Sequence, residues 1–347
     1  ICIPRTVKPD GNMQYASICW DWTAGFYPGS LWYLYNLTEE EYWKSLAEKY
    51  TEALEKMQYN TSHHDVGFII GCSYMNGIRM GGEEKYKPVV VQAAKSLSTR
   101  FRPVAGVIQF WNTQKGWQSE RGWKCPVIID NMMNLELLFE ATRLSGDSTF
   151  YNIAVSHADK TLKNHFRKDG SSYHVVDYDP ETGEVRSRST AQGYADESAW
   201  ARGQAWVIYG YTMCYRYTHN PAYLKQAERT YDFIFTHTNM PEDLVPYWDY
   251  DALNIPNEPR DVSSAAITAS ALYELSSATR YAGYKETADL IMASLASSAY
   301  RAELGDNQGF LLMHSVGSIP HGNEIDVPLN YADYYFLEAL KRKRDME

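Results

Sequence analysis

Cysteine is scarce in this chain and follows no spacing. The five residues, Cys2, Cys19, Cys72, Cys125 and Cys214, are scattered without a CxxC pair. An odd, unpatterned set argues against a disulfide framework and against a zinc site. Basic clusters are missing too. Lys and Arg number 33 against 43 Asp and Glu, a formal charge of −10. The one cationic run, Lys341-Arg-Lys-Arg344, stands at a helix end, where it complements the dipole. That distribution argues against nucleic acid as a partner. No apolar run reaches the length of a transmembrane helix, so no membrane partner is expected. There is no GxxxxGK(S/T), GxSxG or Rossmann fingerprint, which removes the common nucleotide and serine-hydrolase readings. Neither a Pro/Ser-rich linker nor a low-complexity tract divides the chain, and residues 1–347 read as a single domain. The chain starts at Ile1 rather than Met, as if a leader had been removed. On that ground a bacterial periplasm is preferred to the cytoplasm. The pattern specifies no oligomeric state.

What the chain does have is aromatic and helical. It carries 28 Tyr, 10 Trp and 11 Phe, more aromatic area than a solvated chain carries, and disorder is excluded. Such rings build a large helical core, and they also suit a sugar cleft, where a flat ring covers the C–H face of a pyranose. Two kinds of helical segment alternate. Glu40–Met57, Pro88–Phe101, Phe150–Phe166, Pro221–Phe235 and Tyr284–Tyr300 are amphipathic. Thr38 with Glu41 forms a capping-box pattern ahead of the first, and Asn220-Pro221 is a good start for the fourth. Trp22–Leu37, Val66–Met80, Asp130–Leu144, Ser198–Tyr217, Val262–Ser277 and Tyr331–Leu340 are apolar or small nearly all round. A helix with no polar face is buried on every side. Six buried helices alternating with amphipathic ones describe an inner ring wrapped by an outer ring. Strand signals are few: a hairpin of Ser171–Asp179 with Glu184–Arg188, and short extended pieces at Pro246–Tyr250 and Gly309–Met313.

One acid stands out. Asp130 sits among Ile128, Ile129, Met132 and Met133, surroundings that disfavour the charged form and keep a proton available near neutral pH. Capping the following helix would be its ordinary role. The wider pattern points further, because polar or aromatic groups gather at the start of every apolar segment. They are Asp21-Trp22, His63-His64-Asp65, Asp130-Asn131, Ser198 to Arg202, Arg260-Asp261 and Asn330 to Asp333. If the inner helices run the same way, these ends meet at one rim. Asp65 and Asp130 are then a natural acid/base pair for work on a sugar, one holding a proton while the other stays charged. His63-His64-Asp65 has metal-ligand residue types but no third cluster to complete a site. Asp177-Tyr-Asp179 opens like a calcium loop whose sixth position, normally Gly, is Thr182. Neither a metal nor a cofactor is expected.

Several stretches together resemble the unsaturated glucuronyl hydrolases of glycoside hydrolase family 88. They include Trp22-Thr-Ala-Gly-Phe-Tyr-Pro-Gly29, His64-Asp65-Val-Gly-Phe68, Asp130-Asn-Met-Met-Asn-Leu-Glu-Leu-Leu138 and Asp196-Glu-Ser-Ala-Trp-Ala-Arg-Gly-Gln-Ala-Trp206. Pro246-Tyr-Trp-Asp249, Arg260-Asp-Val-Ser-Ser-Ala-Ala266 and the run from Asp333 to Leu340 extend the likeness over nearly the whole chain. The resemblance implies an all-α fold, the (α/α)6 barrel, with short β-hairpins at the rim. It implies an exo-acting enzyme that takes a 4,5-unsaturated uronic acid from lyase-generated oligosaccharides, by hydrating the C4=C5 vinyl ether rather than attacking the anomeric carbon. Carried over by motif, Asp130 is the general acid and Asp65 assists it. Trp22 and Trp206 become stacking surfaces, and His174, Gln192 and Arg202 become polar contacts to the unsaturated uronate. Relatives that accept sulfated glycosaminoglycan ends tend to carry Ser-x-x-Ser-x-Lys. The counterpart here, Ser318-Ile-Pro-His321-Gly-Asn323, lacks the Lys. A glycosaminoglycan-type substrate is favoured. The rivals are an unsaturated galacturonyl-rhamnose hydrolase on pectin fragments and a non-catalytic helical glycan-binding protein.

Overall fold

The computed structural model describes residues 1–347. A hairpin of β1 (Ile3–Val7) and β2 (Met13–Ala16) leads into α1 (Phe26–Thr38) and α2 (Glu41–Glu52). Next come α3 (Val66–Ile70) and α4 (Asn76–Gly81), joined by a π-helical turn at Gly71–Met75, then α5 (Lys87–Ser98). The pair β3 (Phe101–Arg102) and β4 (Val107–Ile108) is followed by α6 (Trp117–Glu120), β5 (Cys125–Ile128), α7 (Leu135–Ser145) and α8 (Ser148–Asn164). After β6 (Val175–Tyr178) and β7 (Val185–Ser189) come α9 (Ala201–Thr218), α10 (Pro221–Thr236), α11 (Val262–Thr279) and α12 (Ala282–Leu295). The chain ends with β8 (Ser315–Ser318), β9 (Asn323–Val327) and α13 (Asn330–Met346).

The two-ring expectation holds. Helices α1, α3–α4, α7, α9, α11 and α13 pack each against the next, and α13 returns to α1 and closes the ring. Outside them, α2, α5, α8, α10 and α12 each lie against an inner helix. The fold is an (α/α)6 barrel, and residue character explains which helix goes where. In α9 every residue from Ala201 to Cys214 is buried, whereas α10 buries only Tyr223, Gln226, Ala227, Thr230 and Ile234, one stripe at helical spacing. Helix α11 reaches both α9 and α13 because Ser263, Ser264, Ala265, Ala266, Ala269, Ser270 and Ala271 keep its surface thin. Although the inner helices are apolar, none is long and apolar enough to cross a membrane.

Local departures have identifiable causes. Thr38 does not begin α2. It is the last residue of α1, its hydroxyl donates to Leu34 O, and the chain leaves α1 through Glu39 at φ +61°. Glu40 is therefore the residue ahead of α2, without a side-chain cap. Asn220 does cap α10, accepting from Ala222 N ahead of Pro221. The buried segment expected from Asp130 opens as a 3-10 turn over Ile129–Asn134, and the α-helix starts only at Leu135. The hairpin read at 171–188 is β6–β7, but β5 joins it, making a three-stranded antiparallel sheet. The Asp177 carboxylate accepts from Lys124 N and Cys125 N, and that of Asp179 from Glu181 N within the turn. Their other oxygens pair with the side chains of Arg186 and Lys124, so both acids are taken up within this sheet. Pro246–Tyr250 and Gly309–Met313 are loops that touch neighbours through isolated bridges, Tyr247 with Arg260 and Leu312 with Arg301.

The barrel axis is filled about halfway along the helices. There buried Glu338 accepts hydrogen bonds from Tyr33, Tyr209 and Ser270 across the ring. The open cavity lies above them, at the helix N-termini.

Candidate active site

The starts of the inner helices do meet at one rim. They enclose a cavity of about 550 Å3 whose lining includes Trp22, Asp65, Asp130, Gln192, Arg202 and Tyr331, within the range of sites that hold a small ligand. Capping separates the acids at this rim into two kinds. Asp21 accepts from Thr23 N and Asp261 from Ser263 N, each capping the helix it precedes. Asp65 precedes α3 without any side-chain cap, and Asp130 lies inside its 3-10 turn, behind Ile128. Asp333, in the first turn of α13, accepts from Leu311 N and Leu312 N, so of the helix-start acids that do not cap only Asp65 and Asp130 line the cavity.

Their environments drive them apart. Asp130 is 8 % exposed and its Oδ2 has no hydrogen-bond partner. Burial pushes the Asp130 carboxyl up to about 7, with the Asp65 charge adding to the rise against the opposing pull of Arg202 and of the Trp206 indole. Burial alone would raise Asp65 as well, but His64 and Asn134 overcome it and hold that carboxyl below its ordinary value. Asp65 Oδ2 lies 2.9 Å from His64 Nε2, and Oδ1 accepts from Asn134 Nδ2 at 3.2 Å. Asn134 is itself fixed, since its Oδ1 accepts from Phe68 N on α3. Gly67 makes this fit possible, because a β-carbon there would overlap Asn134. Burial thus lifts Asp130 toward neutrality while its neighbours hold Asp65 down, a separation of the kind that lets two carboxyls take different acid/base roles.

His174 stands behind Asp130. Its Nδ1 accepts from Ala191 N at 3.0 Å and Gln192 N at 3.2 Å, which places the ring proton on Nε2. That Nε2 has no hydrogen-bond partner and lies 3.7 Å from Asp130 Oδ2. Burial, and then Arg202, hold His174 well below the ordinary histidine value, so it is neutral. Two buried polar atoms thus face one another just beyond hydrogen-bond distance, so a small shift of either side chain would pair them.

The remaining expected residues fall at different depths. Trp22 lines the cavity and packs edge-on to Phe68 and beside Tyr331. Gln192 lines it too, reaching Gly317 O. Trp206 does not line it. Its ring is fully buried against Phe68 and Tyr335, so it has no free face to stack on a sugar. It acts from beneath, on the electrostatics of Asp130. Arg202 reaches the cavity wall, but its terminal nitrogens are already bonded to Asp261, Val316 O and Gly317 O. The arginine pins β8 to the inner ring and leaves only Nε without a partner.

Several lining residues were not anticipated from the sequence. Arg5, from β1, bridges Asp21 and Glu324. A segment carrying Trp111, Asn112, Lys115 and Trp117 lines the cavity, as do Ser318, His321 and Asn323 around the β8–β9 turn, and the two segments meet where the Trp117 and His321 rings lie 5.3 Å apart. Trp111, Trp117 and Trp123 pack on one another. Three tryptophans within thirteen residues, out of ten in the chain, were the signal that a local aromatic platform lay there.

Comparison with known proteins agrees with this geometry. The family model described as Glycosyl Hydrolase Family 88 matches residues 6–338. An unsaturated glucuronyl hydrolase of Formosa agariphila is 48 % identical over 344 residues, covering 99 % of this chain and 85 % of that protein. A crystal structure of an unsaturated glucuronyl hydrolase specific for heparin superposes with a TM-score of 0.95 at 45 % identity, covering 99 % of this chain and 91 % of the other. The unsaturated glucuronyl hydrolase of Bacillus sp. GL1, described as responsible for the degradation of glycosaminoglycan, gives a TM-score of 0.90 at 31 % identity, covering 99 % and 91 %. These matches over nearly the whole length, on a chain whose Asp65 and Asp130 line one cavity at the barrel rim, place it in glycosyl hydrolase family 88 as a glycoside hydrolase.

Proposed function

We propose that the protein removes the 4,5-unsaturated uronic acid from the non-reducing end of lyase-generated oligosaccharides, with glycosaminoglycan fragments as the favoured class. The observation that carries this reading is the Asp130 carboxyl, held near 7 in a buried position with Oδ2 unpartnered and turned toward His174. An ordinary glycosidic acid protonates a bridging oxygen, whereas an enol ether needs its proton delivered to carbon. Protonation of C4 by Asp130 leaves positive charge shared between C5 and the ring oxygen, which the Asp65 carboxylate, lining the same cavity, stabilises. Water then adds at C5 and gives its proton to the Asp130 carboxylate, restoring the acid. The hemiketal at C5 opens to a ketone, and the hemiacetal so exposed at C1 expels the leaving sugar as an alcohol. The neutral His174, with its proton on Nε2, is a donor facing Asp130 and orients that carboxyl. The preference for glycosaminoglycan ends draws on the relatives, among them an enzyme specific for heparin.

The test is to follow loss of the conjugated uronate's ultraviolet absorbance, using unsaturated disaccharides from glycosaminoglycan and from pectin. In heavy water the keto product carries deuterium at C4, and Asp130→Asn lowers turnover by about 10²–10⁴-fold. A protein that binds the disaccharide and leaves the absorbance unchanged is a receptor. Cleavage of saturated glycosides without incorporation of deuterium at C4 overturns the hydration chemistry. Faster turnover of the pectin disaccharide overturns the glycosaminoglycan assignment.

A further inference from the structure

Asp249 ends the Pro246–Asp249 stretch, is fully buried and does not line the cavity. Above it runs a segment, residues 190–198, that forms neither helix nor strand. Without a ladder, the backbone of such a segment depends on side-chain acceptors for its shape. Within it, Thr190 Oγ1 accepts from Gly193 N at 2.8 Å, and Asp196 Oδ1 from Thr190 N at 2.9 Å. Arg167 holds it from the outside, donating to Asp196 O and Ser198 O. From the buried side, Asp249 Oδ2 accepts from Tyr194 N at 2.8 Å and from Ser198 Oγ at 2.7 Å. Gly193 lets the chain pass this close, since a β-carbon there would lie 2.7 Å from Thr190 Oγ1 and 3.1 Å from Asp249 Oδ2. The carboxylate is itself fixed. Its Oδ1 accepts from Asp251 N, and the backbone on either side pairs with the start of α9, Ala201 N donating to Trp248 O and Tyr250 N to Ala199 O.

The segment delivers two amides to the site. Ala191 N and Gln192 N donate to His174 Nδ1, which leaves the ring proton on Nε2, 3.7 Å from Asp130 Oδ2. We infer that Asp249 is a positioning residue: it holds residues 190–198 in the shape that turns those amides onto His174, and so keeps the His174 ring in the tautomer whose Nε2 proton faces Asp130. Its effect on turnover rests on the function proposed above, whereas its hold on His174 does not. Asn is the informative replacement, because both oxygens of Asp249 accept from backbone N–H groups. An amide of the same shape sets its NH2 against one of those donors in either orientation.

The experiment records the ring-nitrogen resonances of His174 in enzyme carrying isotope-labelled histidine, assigned as the pair missing from His174→Gln. It is run with steady-state turnover of an unsaturated glycosaminoglycan disaccharide, for wild type, D249N and S198A. Wild type shows a protonated Nε2 and an unprotonated Nδ1 at neutral pH. In D249N the two resonances draw together as the tautomers exchange, and kcat falls about ten- to hundred-fold. S198A removes one of the donors to Asp249 and shifts both readouts the same way, with kcat down about two- to ten-fold. A folded D249N whose His174 resonances match wild type overturns the inference, whatever its turnover. Merged resonances with kcat unchanged overturn the link from tautomer to turnover. Where D249N does not fold, S198A decides alone, and unchanged resonances there overturn the inference. A wild-type enzyme that leaves the disaccharide intact overturns the proposed function, and the His174 resonances still report on Asp249.

Discussion

Replacing Asp130 by Asn is expected to lower turnover by about 10²–10⁴-fold and at the same time to stabilise the protein above neutral pH. In the unfolded chain this carboxyl titrates near the ordinary value of 3.8, whereas in the fold burial lifts it to about 7. The folded state therefore binds the proton more tightly, and the direction follows from linkage. Below about pH 4 both states are protonated and the group costs nothing. Between 4 and 7 the unfolded chain ionises while the folded one does not, so stability declines with rising pH. Above 7 both are charged and the loss levels off. A gap of about three units at 1.36 kcal/mol each corresponds to roughly 4 kcal/mol, an upper figure because the neighbourhood relaxes around a buried charge. Asn keeps the shape without titrating, and its carbonyl can take the place of Oδ2 opposite His174 Nε2, which has no other partner. Urea unfolding at pH 5 and pH 8 is the assay. The advantage of Asp130→Asn is expected to grow by about 1–4 kcal/mol between those values. Wild-type kcat/KM is expected to fall along the same transition, approaching tenfold per pH unit above 7, as the proton needed for C4 is lost. The reasoning is refuted by an Asn variant no more stable than wild type at pH 8, or by wild-type activity that stays level to pH 9.

Three other outcomes follow from particular contacts. Gly67→Ala places a methyl group against Asn134, which costs about 1–3 kcal/mol by overpacking. It also loosens the hydrogen bond to Asp65, so kcat should drop along with the denaturation midpoint. His174→Ala leaves the amides of Ala191 and Gln192 without their acceptor, a loss of about 1–3 kcal/mol, and amide hydrogen exchange at those two positions should quicken. Glu324→Gln weakens the hold on Arg5 where it lines the cavity. Its effect is expected in KM for the disaccharide, by about two- to five-fold, with kcat little changed in steady-state assays.

The alternation of all-round apolar helices with one-sided ones was enough to give the double ring, because burial on every side and burial on one side leave different residue patterns. Residues 201–214 and 221–236 show both patterns in succession. The candidate acids were legible for a similar reason, since an Asp among Ile and Met carries its own desolvation wherever the chain folds. Sequence could not separate a capping Asp from a titrating one. Asp21, Asp65, Asp130 and Asp261 look alike in the chain, and only the backbone geometry makes two of them caps. Nor could it place Trp206, whose motif is compatible with stacking on a sugar but whose ring is closed off by Phe68 and Tyr335. The part of the lining where Trp117 packs against His321 joins segments some 200 residues apart. Local pattern carries burial and helix character because neighbours in sequence set them. Which polar groups find partners and which carboxyl burial lifts depend on distant atoms brought within a few ångströms, and those were decided by the tertiary structure alone.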